Sequence, residues 1–374
     1  MKKRLCLILT LLSLGACSPS PSSAAAQEEN YRNISPDAGF DTIFTYGETT
    51  ADTSQAKQHY MDCVERLSYY NQLFDIYNDY EGINNIKTIN DQAGIAPVKV
   101  DPVIIELLQF AKDFYDYSDG AFDITMGSVL KIWHTYRMEG VEANENNEKG
   151  KVPSRKELEE AALSTGWDHL IIDEEASTVY IDDAGVSLDV GGIAKGFATE
   201  KTAEMFTEEI TGGFLNMGGN VRTTGPKKDG SPWSVSITDP SKQEADGLAR
   251  VYHEGIFSSV TSGDYERYYE AEDGNTYHHI IDPDTLFPAD LYHSVSIFTK
   301  DSGAADCLST ILFTLTIEEG KEVLSTYTKE SGEEVSAVWI MDKDKTQEEE
   351  GKRIGQYYIV CTDNLSDSIA FAPY

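Results

Sequence analysis

Thr261-Ser-Gly-Asp-Tyr265-Glu-Arg-Tyr-Tyr-Glu270-Ala-Glu-Asp-Gly-Asn275-Thr-Tyr-His-His-Ile280-Ile-Asp-Pro283 reads as a two-stranded hairpin, with the polar break from Ala271 to Asn275 as its turn. Side chains alternate between the two faces of a strand. Tyr277, His279 and Ile281 are therefore expected on one side and His278, Ile280 and Asp282 on the other. One of two adjacent histidines must then face the interior or a cleft. A single buried histidine is more often a hydrogen-bonded core residue than a catalyst, so this stretch alone favours a structural role.

Outward from the hairpin, helical and strand patterns mix without a regular βαβ series. Asp52 to Tyr77 carries helix spacing, and Asp101-Pro102 opens a helix with Ile104, Leu107, Leu108, Ala111 and Phe114 on one side. Ser154 and Glu157 form a capping-box pattern ahead of Leu158. Short strands are expected at Leu170 to Asp173, Thr178 to Ile181, Trp233 to Ile237 and Ala337 to Met341, separated by Asp, Gly and Ser turns. This pattern predicts an α+β fold. With no long linker, fixed-period repeat or second hydrophobic segment, residues 38–374 are expected to form one large mixed domain.

Composition narrows the function. Of 374 residues, 40% are hydrophobic, enough for a substantial core. Thirty basic against sixty-four acidic side chains leave a formal charge of −34, which repels nucleic acid and anionic headgroups. The N-terminus begins with a positive Met1-Lys-Lys-Arg4, followed by an apolar run from Leu5 to Leu14 that is too short to span a bilayer. It ends in Leu14-Gly-Ala-Cys17, which resembles a bacterial lipobox. Residues 1–16 are thus expected to be a lipoprotein signal peptide, Cys17 the lipidated residue, and 17–37 a flexible tether that leaves the domain exported and facing away from the cytoplasm. The remaining Cys63, Cys307 and Cys361 suggest neither a disulfide framework nor a zinc site.

Four further stretches bear groups suited to chemistry. Gly185-Val-Ser-Leu-Asp189-Val-Gly-Gly-Ile-Ala-Lys195-Gly196 reads as a strand, a glycine turn and the start of a helix, a layout that aims backbone N–H groups at phosphate oxygens. Its glycine spacing fits neither the dinucleotide fingerprint nor the Walker loop, and such turns are as often purely structural. In Asp301-Ser-Gly-Ala-Ala-Asp306-Cys-Leu-Ser309-Thr310, Asp306 and Thr310 share one helical face with Ser309 beside them. Hard oxygens of this kind suit Mg²⁺, although an early-turn Asp may serve only the helix dipole. Asp119 to Trp133 places a carboxylate and aromatics at a helix-to-loop junction, and Asn216-Met-Gly-Gly-Asn220 offers a glycine pair where backbone could approach a ligand.

Taken in order, Gly120-Ala-Phe-Asp-Ile-Thr-Met-Gly127, Ser187-Leu-Asp-Val-Gly-Gly-Ile-Ala-Lys-Gly196, Asn216 to Asn220, Thr261 to Tyr265, His279-Ile-Ile-Asp-Pro-Asp-Thr285 and Ala305-Asp-Cys-Leu-Ser-Thr310 resemble the ApbE-type FAD:protein FMN transferases. The resemblance spans about residue 40 to near the C-terminus. It implies the T-fold-like architecture of that family and a Mg²⁺-dependent reaction that splits FAD, releases AMP and joins FMN to a Thr or Ser hydroxyl of an acceptor protein. Carried over by motif, Mg²⁺ would be held by Gly192 (backbone carbonyl), Asp306, Ser309 and Thr310. FAD would meet Tyr46, Tyr77, Ala121, Phe122, Asp123, Asp189, Lys195, His279 and Ile280, with Asp306, Lys195 and His279 as the catalytic set.

This chain departs from the family pattern in two places. Tyr46-Gly47-Glu48 stands where Met-Gly-Thr is usual, on the adenine side, and Thr285-Leu-Phe replaces the usual Thr-Gly after Asp282-Pro283. The implied partner is an exported or membrane-bound electron-transfer protein bearing a Ser/Thr flavinylation motif. Two alternatives stay open: a Mg²⁺-dependent FAD pyrophosphatase giving FMN and AMP, and a non-catalytic flavin-binding lipoprotein.

Overall fold

The computed structural model describes residues 28–206, 210, 212–242, 246–345 and 351–372; the expected signal peptide and Cys17 lie outside them. One sheet organises the chain. From edge to edge it runs β1 (Glu29–Ser35), β2 (Phe44–Thr50), β6 (Gly213–Met217), β7 (Asn220–Thr223), β10 (Ser258–Gly263), β13 (Ser294–Thr299), β14 (Ser336–Asp342), β16 (Tyr357–Cys361) and β15 (Lys352–Ile354). Three small sheets flank it: β3 (Val98–Lys99) with β5 (Thr178–Ile181) and β4 (Leu170–Asp173), β17 (Ile369–Phe371) with β9 (Ala249–His253) and β8 (Trp233–Ile237), and the hairpin β11 (Tyr268–Glu270) with β12 (Thr276–His278). Every ladder between these strands is antiparallel, which places the chain in the expected α+β class.

The helices are α1 (Thr53–Phe74), α2 (Ile86–Asp91), α3 (Pro102–Tyr117), α4 (Gly127–Glu145), α5 (Arg155–Ala162), α6 (Ala194–Glu204), α7 (Ser302–Thr314) and α8 (Ile317–Ser331). Local chemistry sets several of their starts. Asp52, Asp101, Ser154 and Asp301 each accept a backbone N–H at the first turn, and Pro102 fills the first helical position of α3. The expected stripe Ile104, Leu107, Leu108, Ala111 and Phe114 is buried.

Strand alternation divides the core into two. On β14, Ala337, Trp339 and Met341 join the main core beneath α1, α6 and α7, while Val338 and Ile340 enter a second core shared with Ile237, Val251 and Ile359. The central strands are therefore buried on both faces, and the helix-covered face carries the site. Behind it, Arg222 of β7 grips Glu200 of α6 through Nε and Nη2, each at 2.7 Å, and the same carboxylate accepts the Ser302 N–H of α7 at 2.8 Å. One buried ion pair thus locks three elements together.

Two sequence expectations change here. The stretch 29–35, expected within the tether, is the edge strand β1, because ladder pairing needs backbone groups rather than apolar side chains, and Tyr31 adds an edge-on contact to Tyr46. Residues 186–190 form no strand; they are held by a bridge between Ser187 and Met126 and by the Asn90 side chain, which bonds both backbone groups of Leu188. The hairpin forms as expected, and its outer edge is occupied. The Asn144 amide donates to Glu270 O at 2.9 Å and accepts from Glu270 N at 2.7 Å, while Gly150 N donates to the same carbonyl at 2.9 Å.

Candidate active site

The glycine elbow and α7 meet. Gly196 N–H donates to Asp306 Oδ2 at 2.7 Å, and Lys195 Nζ lies 3.4 Å from Asp306 Oδ1 while donating to Asn220 Oδ1 at 2.5 Å. A Cβ placed on Gly196 would come within 2.5 Å of Asp306 Cβ, so α6 and α7 cross this closely only because the residue is glycine. One turn earlier in the elbow, a Cβ on Gly192 would lie 3.6 Å from Thr310 Oγ1, which puts the Gly192 backbone beside the Asp306–Thr310 face. Among the described residues no group of three His, Cys, Asp or Glu side chains could hold a metal ion. What converges here instead is one buried carboxylate with neutral oxygens, a donor set that fits Mg²⁺ completing its shell with waters and substrate oxygens. Ser309, expected among the ligands, is fully buried, with its hydroxyl bonded to Asp306 O at 2.9 Å and paired with Ser262 Oγ at 2.8 Å. It braces the ligand-bearing turn from behind.

A second loop is sewn to the elbow. Asp189 N–H donates to Ile124 O at 2.8 Å, and Gly127 N–H donates to Ser187 O at 3.0 Å, bringing Ala121 to Asp123 alongside Asp189. Asp123 accepts from the Thr125 amide at 2.8 Å and its hydroxyl at 2.7 Å, and Asp189 accepts from Gly191 N–H at 2.8 Å. Burial pushes both carboxyl groups up despite those hydrogen bonds. Phe122 is buried, and a Cβ on Gly192 would lie 3.0 Å from its ring.

The opposite wall is built by Tyr77, α4 and the hairpin. His278 turns inward, with Nε2 2.7 Å from Ala289 O, so the structural role foreseen for one histidine falls to it. His279 is exposed at the cleft. Crowding by protein and the cations Arg267, His278, Arg137 and Lys195 push its pKa down, to about 3, so the ring is neutral at physiological pH. The expected alternation fails at Ile281, which is buried like Ile280 because the chain leaves the strand after His278 and enters a third core with Trp133 and Leu286. Leu286 occupies the position where glycine is usual and adopts a left-handed φ of 62°. Its carbonyl accepts from Trp133 Nε1 at 2.8 Å and its side chain is buried, so the turn survives the substitution.

One expected ligand contact is corrected. Tyr46 is fully buried, and its hydroxyl donates to Glu48 at 2.7 Å, so it presents no surface to a ligand. Ile280 is buried with both backbone groups engaged, donating to His278 Nδ1 and accepting from Ala289 N–H, which fixes the chain next to His279. Gly218 and Gly219 have φ of 57° and 99° and form the exposed two-residue turn between β6 and β7, and the next residue, Asn220, is bonded to Lys195. Sequence reading gave no role to His134, Arg137 and Arg267, whose cleft positions arise from packing of α4 against the hairpin. The only signal was a pair of arginines in a strongly acidic chain.

Fold and site together define an α+β protein in which a buried carboxylate and neutral oxygens lie within electrostatic reach of a neutral histidine and arginines. A family model for the ApbE family matches residues 42–333, and the chain belongs to that family. A FAD:protein FMN transferase of Treponema pallidum (strain Nichols) is 35% identical over 254 residues, covering 64% of this chain and 67% of the relative. Another, from Klebsiella pneumoniae (strain 342), is 31% identical over 255 residues, covering 67% and 75%. Among solved structures, the ApbE protein of Thermotoga maritima superposes with a TM-score of 0.68 at 31% identity, covering 84% of this chain and 94% of that one. Flavin Transferase ApbE from Vibrio cholerae gives 0.69 over 91% and 100% at 22% identity, a likeness of fold.

Proposed function

We propose that this chain, a flavin transferase by family, moves the FMN half of FAD onto a Thr or Ser hydroxyl of an acceptor protein and releases AMP. The observation that carries this reading is the meeting of elbow and late helix, where Gly192, Asp306 and Thr310 gather oxygens beside Lys195. Mg²⁺ bound there would neutralise the diphosphate and polarise the phosphorus under attack. Without a cation, Asp306 and Asp189 would repel the substrate in a protein already carrying −34.

In this reading the acceptor oxygen bonds to the FMN phosphorus, the bond from that phosphorus to the bridging oxygen breaks, and the bridging oxygen leaves with AMP. His279 takes the hydroxyl proton. A pKa of about 3 makes a weak base, but besides burial it is the surrounding cations that depress it, and an arriving diphosphate offsets those charges, so substrate binding raises the pKa of the ring and makes it a stronger base. Because His279 is open to solvent, water could replace the hydroxyl, which keeps FAD hydrolysis as the second reading. The positive n-region, the short apolar run and Leu14-Gly-Ala-Cys17 support export with a lipid on Cys17, so acceptors would be exported or membrane-bound redox proteins.

The test is mass spectrometry and in-gel fluorescence of a candidate acceptor after incubation with the protein, FAD and Mg²⁺. Covalent flavin that disappears with chelator supports transfer. Free FMN and AMP without labelled acceptor supports hydrolysis, and FAD binding that chelator leaves untouched with no product overturns both.

A further inference from the structure

Arg137 and Arg267 come from distant parts of the chain. Arg137 lies on α4, one turn before Gly140, which packs against the Tyr269 ring of the hairpin. Arg267 is one residue before Tyr268, whose register partner is His278, the residue before His279, and the charge of Arg267 acts on the His279 ring. Neither arginine forms an ion pair with a carboxylate among the described residues, in a chain where acidic groups outnumber basic ones by more than two to one. Arg137 Nη2 instead donates to His134 Nδ1 at 3.1 Å, and the Tyr77 hydroxyl lies 3.3 Å from the same nitrogen. A guanidinium has only hydrogens to offer, so His134 is the acceptor, a neutral ring that steers a cation without neutralising it. The two guanidinium groups also depress one another's neighbours: Arg267 and Arg137 both hold His134 and His279 low.

Asp189 is the carboxylate whose charge reaches Arg137, without forming an ion pair, so two guanidinium groups share one carboxylate between them and favour an added anion. We propose that Arg137 and Arg267 form a two-pronged clamp on the phosphate attached to the flavin half of the substrate, the phosphate beside His279, with His134 and Tyr77 positioning the Arg137 prong. This rests on the flavin-nucleotide reading above and adds to it the residues that hold the transferred group opposite the cation position. The clamp would orient the phosphorus between the two walls and stabilise charge on its equatorial oxygens during transfer.

The experiment compares FMN with riboflavin, which lacks the phosphate, by fluorescence titration against the full chain in Mg²⁺. Wild type is expected to bind FMN more tightly than riboflavin. R137Q and R267Q are each expected to lose roughly tenfold in FMN affinity with riboflavin affinity unchanged, while R137K and R267K recover part of the loss. Arg267 is exposed, so R267Q reads the clamp without threatening the fold. Equal FMN affinity in wild type and both Gln variants overturns the clamp and leaves the flavin reading intact, as does an equal loss for both ligands. A wild type that binds neither FMN, riboflavin nor FAD overturns the flavin reading, and the clamp with it.

Discussion

The two walls of the cleft solve opposite problems. On the elbow and α7 side the main polar groups hold one another: Asp306 is held by Gly196 and Lys195, Ser309 by Ser262, Lys195 by Asn220. That wall is buried and braced by the Glu200–Arg222 pair, as a site must be if its oxygens are to meet a small cation without rearranging. On the hairpin and α4 side, Tyr77, Arg267 and His279 are exposed, and Arg267 forms no ion pair among the described residues. A wall of this kind is completed by its ligand. Rigidity and receptivity are thus separated across one cleft.

Removing the carboxylate should give the largest effect. Asp306→Ala is expected to lower turnover about a thousandfold, with partial recovery at higher Mg²⁺, measured as AMP release. If that variant turns over normally, the elbow wall is not the cation wall. Gly196→Ala comes next, because its Cβ must enter the α6–α7 crossing; about 3 kcal/mol of stability should be lost, visible as a lower midpoint in urea. An unchanged midpoint would show that the rigid wall yields after all.

The paired histidines sharpen the contrast. His279→Ala should cut turnover about a hundredfold while FAD still binds and the fold holds. His278→Ala, by contrast, removes a buried ring bonded to Ala289 O and should cost about 2 kcal/mol of stability. Swapped outcomes would reverse their roles.

The smallest expected effect lies outside the cleft, at His293, where Nδ1 is 2.8 Å from Asp264 Oδ2 and Nε2 3.1 Å from Asp342 Oδ1. The hydrogen bond to Asp264 and then that to Asp342 raise its pKa above 6.5 against the opposing effect of burial. A raised folded value means the contribution is complete below 6.5 and fades as pH rises through the shifted value. The difference in melting temperature between wild type and His293→Asn should therefore be greatest in mildly acidic buffer and shrink in alkaline buffer. A difference that grows with pH would refute the protonated bridge.

Local signals made much of this readable in advance. Asp101-Pro102 and the Ile104 to Phe114 stripe specify α3, Asp301 caps α7, and the polar turn makes the hairpin, because each depends on neighbours a few residues away. The meeting of Gly192, Lys195 and Gly196 with Asp306 and Thr310 was legible only through the family's ordered motifs, since nothing in either segment names the other. Edge strand β1 escaped notice because pairing asks little of side chains. Tyr46 was misplaced because its motif position was transferred to a residue the sheet buries. Arg137 and Arg267 stayed invisible because they converge only when α4 packs on the hairpin.

The occupied outer edge of β11 also limits how a second polypeptide can approach. With Glu270 already paired on both its amide and its carbonyl by Asn144 and Gly150, no visiting segment can attach there as an additional strand. A protein approaching from that edge would be recognised there by side-chain fit rather than by main-chain zippering.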